Sequence, residues 1–165
     1  MNHYAEDKEE VDRMPLVLKN ANLFDGTGKP PYGPVTVIAE NDRITTVGSG
    51  EMTLPENAEV IDCAGKFLMP GLVDCHVHIT MAGDPNFVKS AKELVPHKAL
   101  RAAQHAKATL EAGFTAIRDA GASFLVDVAL KQAVNEGMVP GPRMQVACQG
   151  LSITGGHGDT RNGWP

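Results

Sequence analysis

Apolar residues follow two different rhythms along this chain, and the change comes at Pro70-Gly71. Before that pair, short stretches alternate apolar and polar side chains with a period of two, the pattern of half-buried strands. "PLVLKNANLF" (15–24) stops at Asp25-Gly26-Thr27-Gly28, and "AEVIDC" (58–63) stops at Ala64-Gly65. Between them, "VTVIAE" (35–40) and "RITTVG" (43–48) flank Asn41-Asp42, a tight-hairpin signal. These segments predict a small antiparallel β-sandwich domain over residues 16–67. A polar, acidic N-terminal tail over residues 1–15 precedes it and is expected to be flexible.

After Pro70-Gly71 the segments lengthen and alternate in type. "GLVDCHVH" (71–78) reads as a strand, and "PHKALRAAQHAKATLEAG" (96–113) as a helix. Pro96 suits the first turn of that helix and Gly113 the position just past its end. "FTAIRDAG" (114–121) is a second strand, Ser123 is placed to cap a second helix in "FLVDVALKQAVNEG", and Gly137 ends it. "PRMQVACQG" (142–150) is a third strand, followed by the glycine-rich "LSITGGHGD". A β-α-β-α-β order predicts parallel strands joined by right-handed crossovers. No internal repeat is visible by residue identity beyond this unit of roughly 30 residues, the size of a βα crossover.

Composition narrows the function classes. With 165 residues and 42% hydrophobic side chains the chain can bury a core. A formal charge of −5 with no basic stripe excludes nucleic acid as the main partner. No run approaches the roughly 18 apolar residues of a membrane span, so no membrane association is expected. The N-terminus lacks the basic segment and apolar run of a signal peptide. Cys63, Cys75 and Cys148 are widely spaced and odd in number, unlike a disulfide framework, and a cytoplasmic setting is expected.

The chemistry concentrates in "FLMPGLVDCHVHIT" (67–80), where two histidines stand one residue apart at the end of an apolar run. On a strand, residues i and i+2 share a face about 6.6 Å apart, so Asp74, His76 and His78 are expected on one side, with Val73, Cys75 and Val77 on the other. Two imidazoles at that spacing can converge on one cation at about 2.0–2.1 Å. Cys75 would point away, which argues against a mixed Cys/His site, and Asp74 could orient a ligand histidine from behind. The bland alternative is two polar residues on a half-exposed strand. Against it, the pair closes a strand that opens a βα series, the end at which α/β barrels build their sites.

"AEVIDCAGKFLMPGLVDCHVH" (58–78) resembles the approach into the barrel of the amidohydrolase superfamily of metal-dependent hydrolases. The resemblance extends over residues 16–165 and rests on the order of the turn, the Pro-Gly junction and the H-x-H pair. It implies a small β-sandwich followed by a (β/α)8 TIM barrel, of which residues 68–165 hold the first three βα steps. It also implies that His76 and His78 bind a divalent metal, zinc first, as one or two ions. In that family a lysine on the fourth strand, histidines on the fifth and sixth and an aspartate on the eighth complete the site. A barrel takes about 250 residues, and none of those strands is visible here, so no catalytic residue is assigned. The catalytic groups are expected beyond Pro165, and the remaining barrel segment of the same protein is the first expected partner. By itself the 165-residue chain is expected to be inactive and not to stay monomeric; the whole protein is expected to be a homo-oligomer.

Other residues carry weaker signals. His157, in "TGGHGD" (154–159), follows the third strand, where the resemblance places it against substrate; an incidental histidine on a flexible loop is the alternative. The loop lacks the pattern of a phosphate cradle. Arg118 and Asp119 end the second strand, where substrate contact or a local ion pair would both fit. His97 and His105 belong to the first helix, as solvated or packing residues. Trp164 could stack on a ligand or pack. The leading expectation is metal-dependent cleavage of an amide bond in a small-molecule or dipeptide substrate, a dipeptide or N-acyl amino acid in prolidase fashion. A cyclic amide, as in imidazolonepropionase-like enzymes, comes second. The rival of another class is a non-catalytic assembly protein that keeps the amidohydrolase fold.

Overall fold

The structure is a computed structural model that describes residues 14–84, 92–156 and 159. It divides into two compact units, Met1–Pro70 and Gly71–Pro165.

The first unit is a five-stranded sheet built from β1 (Leu16–Leu23), β2 (Tyr32–Glu40), β3 (Arg43–Gly48), β4 (Glu59–Asp62) and β5 (Phe67–Leu68). The β2–β3 hairpin closes as the pattern predicts: Glu40 pairs with Arg43 across Asn41-Asp42. Asn41 takes φ +56°, a left-handed conformation that its short polar side chain tolerates. The sheet is not antiparallel throughout. β4 and β5 both join β1 in parallel, with Leu16 opposite Glu59 and Asn22 opposite Phe67. A period of two tells which face a residue takes and is silent on the direction of the neighbouring strand. The turn at Ala64-Gly65 lets β5 continue along the same edge. Asp62 Oδ1 accepts the Ala64 N–H at 2.8 Å and the Asn20 side-chain amide at 3.1 Å, and Gly65 N–H donates to Asn20 O. Ala21, Val35 and Val37 form the core of this unit, with Leu18, Leu23, Cys63 and Leu68 packed against them.

The second unit alternates β6 (Leu72–Val77), α1 (Val95–Glu111), β7 (Phe114–Asp119), α2 (Val126–Asn135) and β8 (Arg143–Val146). The three strands run parallel in the order β6-β7-β8, as a βαβαβ series requires. Both helices contribute to one core: Ala102 and Ala106, four residues apart on α1, and Val126 and Leu130, four apart on α2, close over Ile117 and Met144. Gly113 ends α1 at φ +94°, donating its N–H to Leu110 O at 2.9 Å. Gly137 does the same after α2, with its N–H on Val134 O at 3.1 Å.

Ser123 does not cap α2. Phe124 and Leu125 both adopt left-handed conformations, at φ +60° and +56°, so the helix begins at Val126 and Leu125 holds the cap position without a side-chain bond. Ser123 is two residues too early and offers only its main-chain carbonyl to Val126 N–H, at 3.4 Å.

α1 is tied to the loop that follows β6. Arg101 forks over Glu93, with Nη2 2.6 Å from Oε2, and the same Nη2 donates to Thr80 O at 2.9 Å. Glu93 also meets the His97 ring. The Arg101 hydrogen bonds hold the Glu93 carboxyl down to about 2, from an ordinary value of 4.5.

Two outcomes follow. Ile117 is 3% exposed in the middle of the core, so Ile117→Ala should cost about 2–5 kcal/mol in denaturant unfolding. The Glu93 pair should stabilise the fold fully above pH 4.5 and lose that contribution as the pH falls towards 2, because only the unfolded carboxyl takes up a proton in that window. The difference in Tm between wild type and Glu93→Gln should therefore be constant above pH 4.5 and shrink towards pH 2. A difference that stays constant across the window would show that the pair adds nothing.

Candidate metal centre at the ends of the parallel strands

His76 and His78 come together at the C-terminal end of β6. Val77 and Ile79 belong to the core beneath the helices, so the residues between and before them turn to the opposite side. The two imidazole rings lie with centroids 5.3 Å apart and planes 77° apart. A tetrahedral zinc about 2.0–2.1 Å from one nitrogen of each ring would set the centroids roughly 5 Å apart, so the observed separation suits a shared cation. His76 is exposed and His78 half-buried.

Asp74 does not share the histidine face by simple alternation. Asp74 pairs with Ile117 and Val77 with Asp119, so β6 uses three steps where β7 uses two. This extra residue is a β-bulge, which re-aims side chains near a strand end. Asp74 instead turns Oδ1 onto the His76 main-chain N–H at 3.0 Å and so braces the bulge itself. Cys75 is exposed and free.

The His78 ring is fixed from the neighbouring strand. Its Nδ1 lies 2.8 Å from Gly121 O, and a carbonyl only accepts, so Nδ1 carries the proton and Nε2 keeps its lone pair. Gly121 is in turn held by Asp119, whose Oδ1 accepts the Gly121 N–H at 2.8 Å while Oδ2 accepts the Ile79 N–H at 2.9 Å. Main-chain bonds then lace the strand ends together: Ala120 N–H to Val77 O at 2.8 Å, Ala147 N–H to Asp119 O at 3.1 Å, and Ala122 N–H to Cys148 O at 2.7 Å. Asp127, in the first turn of α2, accepts the Cys148 N–H at 2.9 Å.

Asp119 is fully buried and Arg118 exposed, so neither the ion pair nor substrate contact by Asp119 is realised. His105 is no solvated residue: its Nδ1 lies 2.9 Å from Ile79 O, joining α1 to the residue after His78. His97 pairs with Glu93. His157 and Trp164 lie outside the described residues. Gly121 escaped notice in the sequence, although "DAG" at a strand end is the signature of an aspartate bonding the N–H two residues on.

The donor set fits a divalent ion as a partial site. Two neutral imidazoles, one with its second nitrogen already committed to a carbonyl, are the ligands such ions take, and the carbonyl is the outer partner they usually have. Among the described residues no group of three or more His, Cys, Asp or Glu side chains could hold a metal. No helix among the described residues is long and apolar enough to cross a membrane.

Comparison with known proteins agrees with this architecture. Ochratoxinase of Aspergillus niger is 30% identical over 167 residues, covering 90% of this chain and 33% of its own length. Imidazolonepropionase of Vibrio cholerae is 48% identical over 50 residues, 30% of this chain and 12% of that protein. The crystal structure of a prolidase complexed with N-methylphosphonate-L-proline matches with a TM-score of 0.79 and 38% identity, over 90% of this chain and 35% of its own. A Xaa-Pro dipeptidase with methionine bound in its active site matches with a TM-score of 0.79 and 30% identity, over 90% and 37%. The chain thus spans about a third or less of the relatives it matches. The Amidohydrolase family model covers residues 67–162, from β5 through the strand ends just described, and the chain belongs to the amidohydrolase family.

Proposed function

We propose that the protein is a metal-dependent amidohydrolase that cleaves the amide bond of a dipeptide or N-acyl amino acid, with zinc as the metal. The observation that carries this reading is the His76/His78 pair at the C-terminal ends of parallel strands, with the His78 Nδ1 proton committed to Gly121 O. The chemistry a divalent ion supplies in such a setting is Lewis acidity, which polarises an amide carbonyl and acidifies a water towards about pH 7. The chain's own part is to present two lone pairs in a fixed direction. Gly121 O keeps the His78 proton on Nδ1, and Asp74 holds the His76 main chain against the bulge. The further ligands and the general base belong to the remaining barrel segment of the same protein, and substrate recognition is the role assigned to His157. A prolidase and a Xaa-Pro dipeptidase among the structural relatives support the dipeptide class. The 48% identity to an imidazolonepropionase over 50 residues favours a cyclic amide as the second reading.

In the full-length protein, His76→Ala should abolish stoichiometric zinc and lower kcat/KM by more than ~100-fold, since losing a ligand exceeds the ~10–100-fold loss typical of an outer partner. A folded variant with full zinc content and unchanged turnover would end the metal reading. Assays with Xaa-Pro dipeptides, N-acyl amino acids and a five-membered cyclic amide should show turnover of the linear substrates. Turnover of the cyclic amide alone would establish the second reading. A protein that holds no zinc and turns over none of them would be the assembly protein.

A further inference from the structure

We propose that Asp119 is the positioning residue of this site: a buried carboxylate that, through the Gly121 main chain, sets the direction in which His78 offers Nε2. The inference rests on the metal reading and assigns a role to a residue that touches neither metal nor substrate. Asp119 has no exposed surface, and its two oxygens are both committed, Oδ1 to Gly121 N–H at 2.8 Å and Oδ2 to Ile79 N–H at 2.9 Å. Gly121 O is the acceptor for His78 Nδ1, and Ile79 is the next residue after His78. One carboxylate therefore grips His78 twice, at the peptide on its C-terminal side and, through Gly121, at Nδ1 of its ring. The loop closes on itself: Asp119 to Gly121, Gly121 to the His78 ring, and Ile79 back to Asp119.

Other roles do not fit the same atoms. Asp119 has no exposed surface to offer a metal or a substrate, and each of its oxygens already faces a main-chain donor. Arg118 next to it is exposed while Asp119 is buried, which removes a local ion pair. Simple burial of a charge for the fold does not explain the arrangement either, because Asp127 is equally buried and grips Cys148 N–H without touching His78. An asparagine at position 119 would keep one acceptor and turn an amide N–H towards one of the two main-chain donors, so the loop would open on one side. Gly121 allows the same link to be broken from the other end. Its φ is +151°, and a Cβ there would sit 3.3 Å from Gly150 N and 3.4 Å from Gly150 Cα. Alanine is strained there by its φ and crowds Gly150, so either the facing Gly150 backbone or the Gly121 peptide whose carbonyl holds the His78 ring has to give.

The test uses the full-length protein, with zinc as the probe in chelator competition and the visible spectrum of the cobalt-substituted form. Asp119→Asn is expected to weaken zinc binding by about 10–100-fold, the usual cost of losing an outer partner, and to change the cobalt spectrum while far-UV circular dichroism stays native. Gly121→Ala is expected to do the same with Asp119 intact, which covers the case in which the first variant fails to fold. Asp127→Asn, matched for burial and bonded to Cys148 rather than to His78 or its neighbours, should leave the zinc Kd and the cobalt spectrum at wild type. Folded Asp119→Asn or Gly121→Ala protein with wild-type zinc Kd and spectrum would overturn the assignment. A shift in Asp127→Asn as large as in Asp119→Asn would also overturn it, by showing a general loss of packing. Absence of zinc uptake by the wild-type protein would sink the metal reading, and this inference with it.

Discussion

A carboxylate without exposed surface must satisfy its oxygens inside the protein, since an unpaired buried charge is among the most costly things a fold can contain. Asp119 meets that demand with two main-chain N–H groups from different segments, Ile79 after β6 and Gly121 after β7. The requirement works in both directions. The aspartate is tolerated because the strand ends come to it, and the strand ends are held in register because it is there. His78 inherits its orientation from that arrangement, through a carbonyl whose place is set by the same residue. Asp127, equally buried, anchors the chain after β8 from the first turn of α2 through one oxygen only, its Oδ2 accepting the Cys148 N–H.

The two faces of the parallel sheet divide structure from chemistry. Ile117, Met144, Val77 and Ile79 go to the helices, where Ala102 and Ala106 let α1 lie close. The histidines take the other side, at the end of the strands where (β/α)8 enzymes assemble their sites. The bulge between Asp74 and Val77 adjusts this division locally, and Asp74 closes it with a bond to His76 N–H. The tether from Arg101 to Glu93 and Thr80 secures the loop that leaves the site, so α1 both covers the core and holds the residues that follow the ligands. Membership of the amidohydrolase family gives these features a common sense: a scaffold of repeated βα units whose strand ends, rather than whose core, carry the variable chemistry.

Much of this was legible from the order of residues alone. Period-two alternation, the hairpin at Asn41-Asp42, the helix endings at Gly113 and Gly137, and the H-x-H pair all depend on local rules: side-chain alternation, left-handed φ and helix termination. Such rules act over a few residues, so a single strand of sequence contains them whole. What tertiary structure alone decided are matters of neighbourhood. β4 and β5 joined β1 in parallel because an alternating pattern does not encode the direction of its partner. Ser123 lost the cap position to Phe124 and Leu125, which both take left-handed conformations before the helix begins. Asp119, placed by its sequence at a strand end where it could meet substrate or Arg118, proved to be buried, because which side of β7 is covered depends on how α1 and α2 dock against it. The sequence by itself determined that two imidazoles would share one side of a strand; the proton on His78 Nδ1 was decided only when a loop 43 residues away brought Gly121 O within 2.8 Å of it.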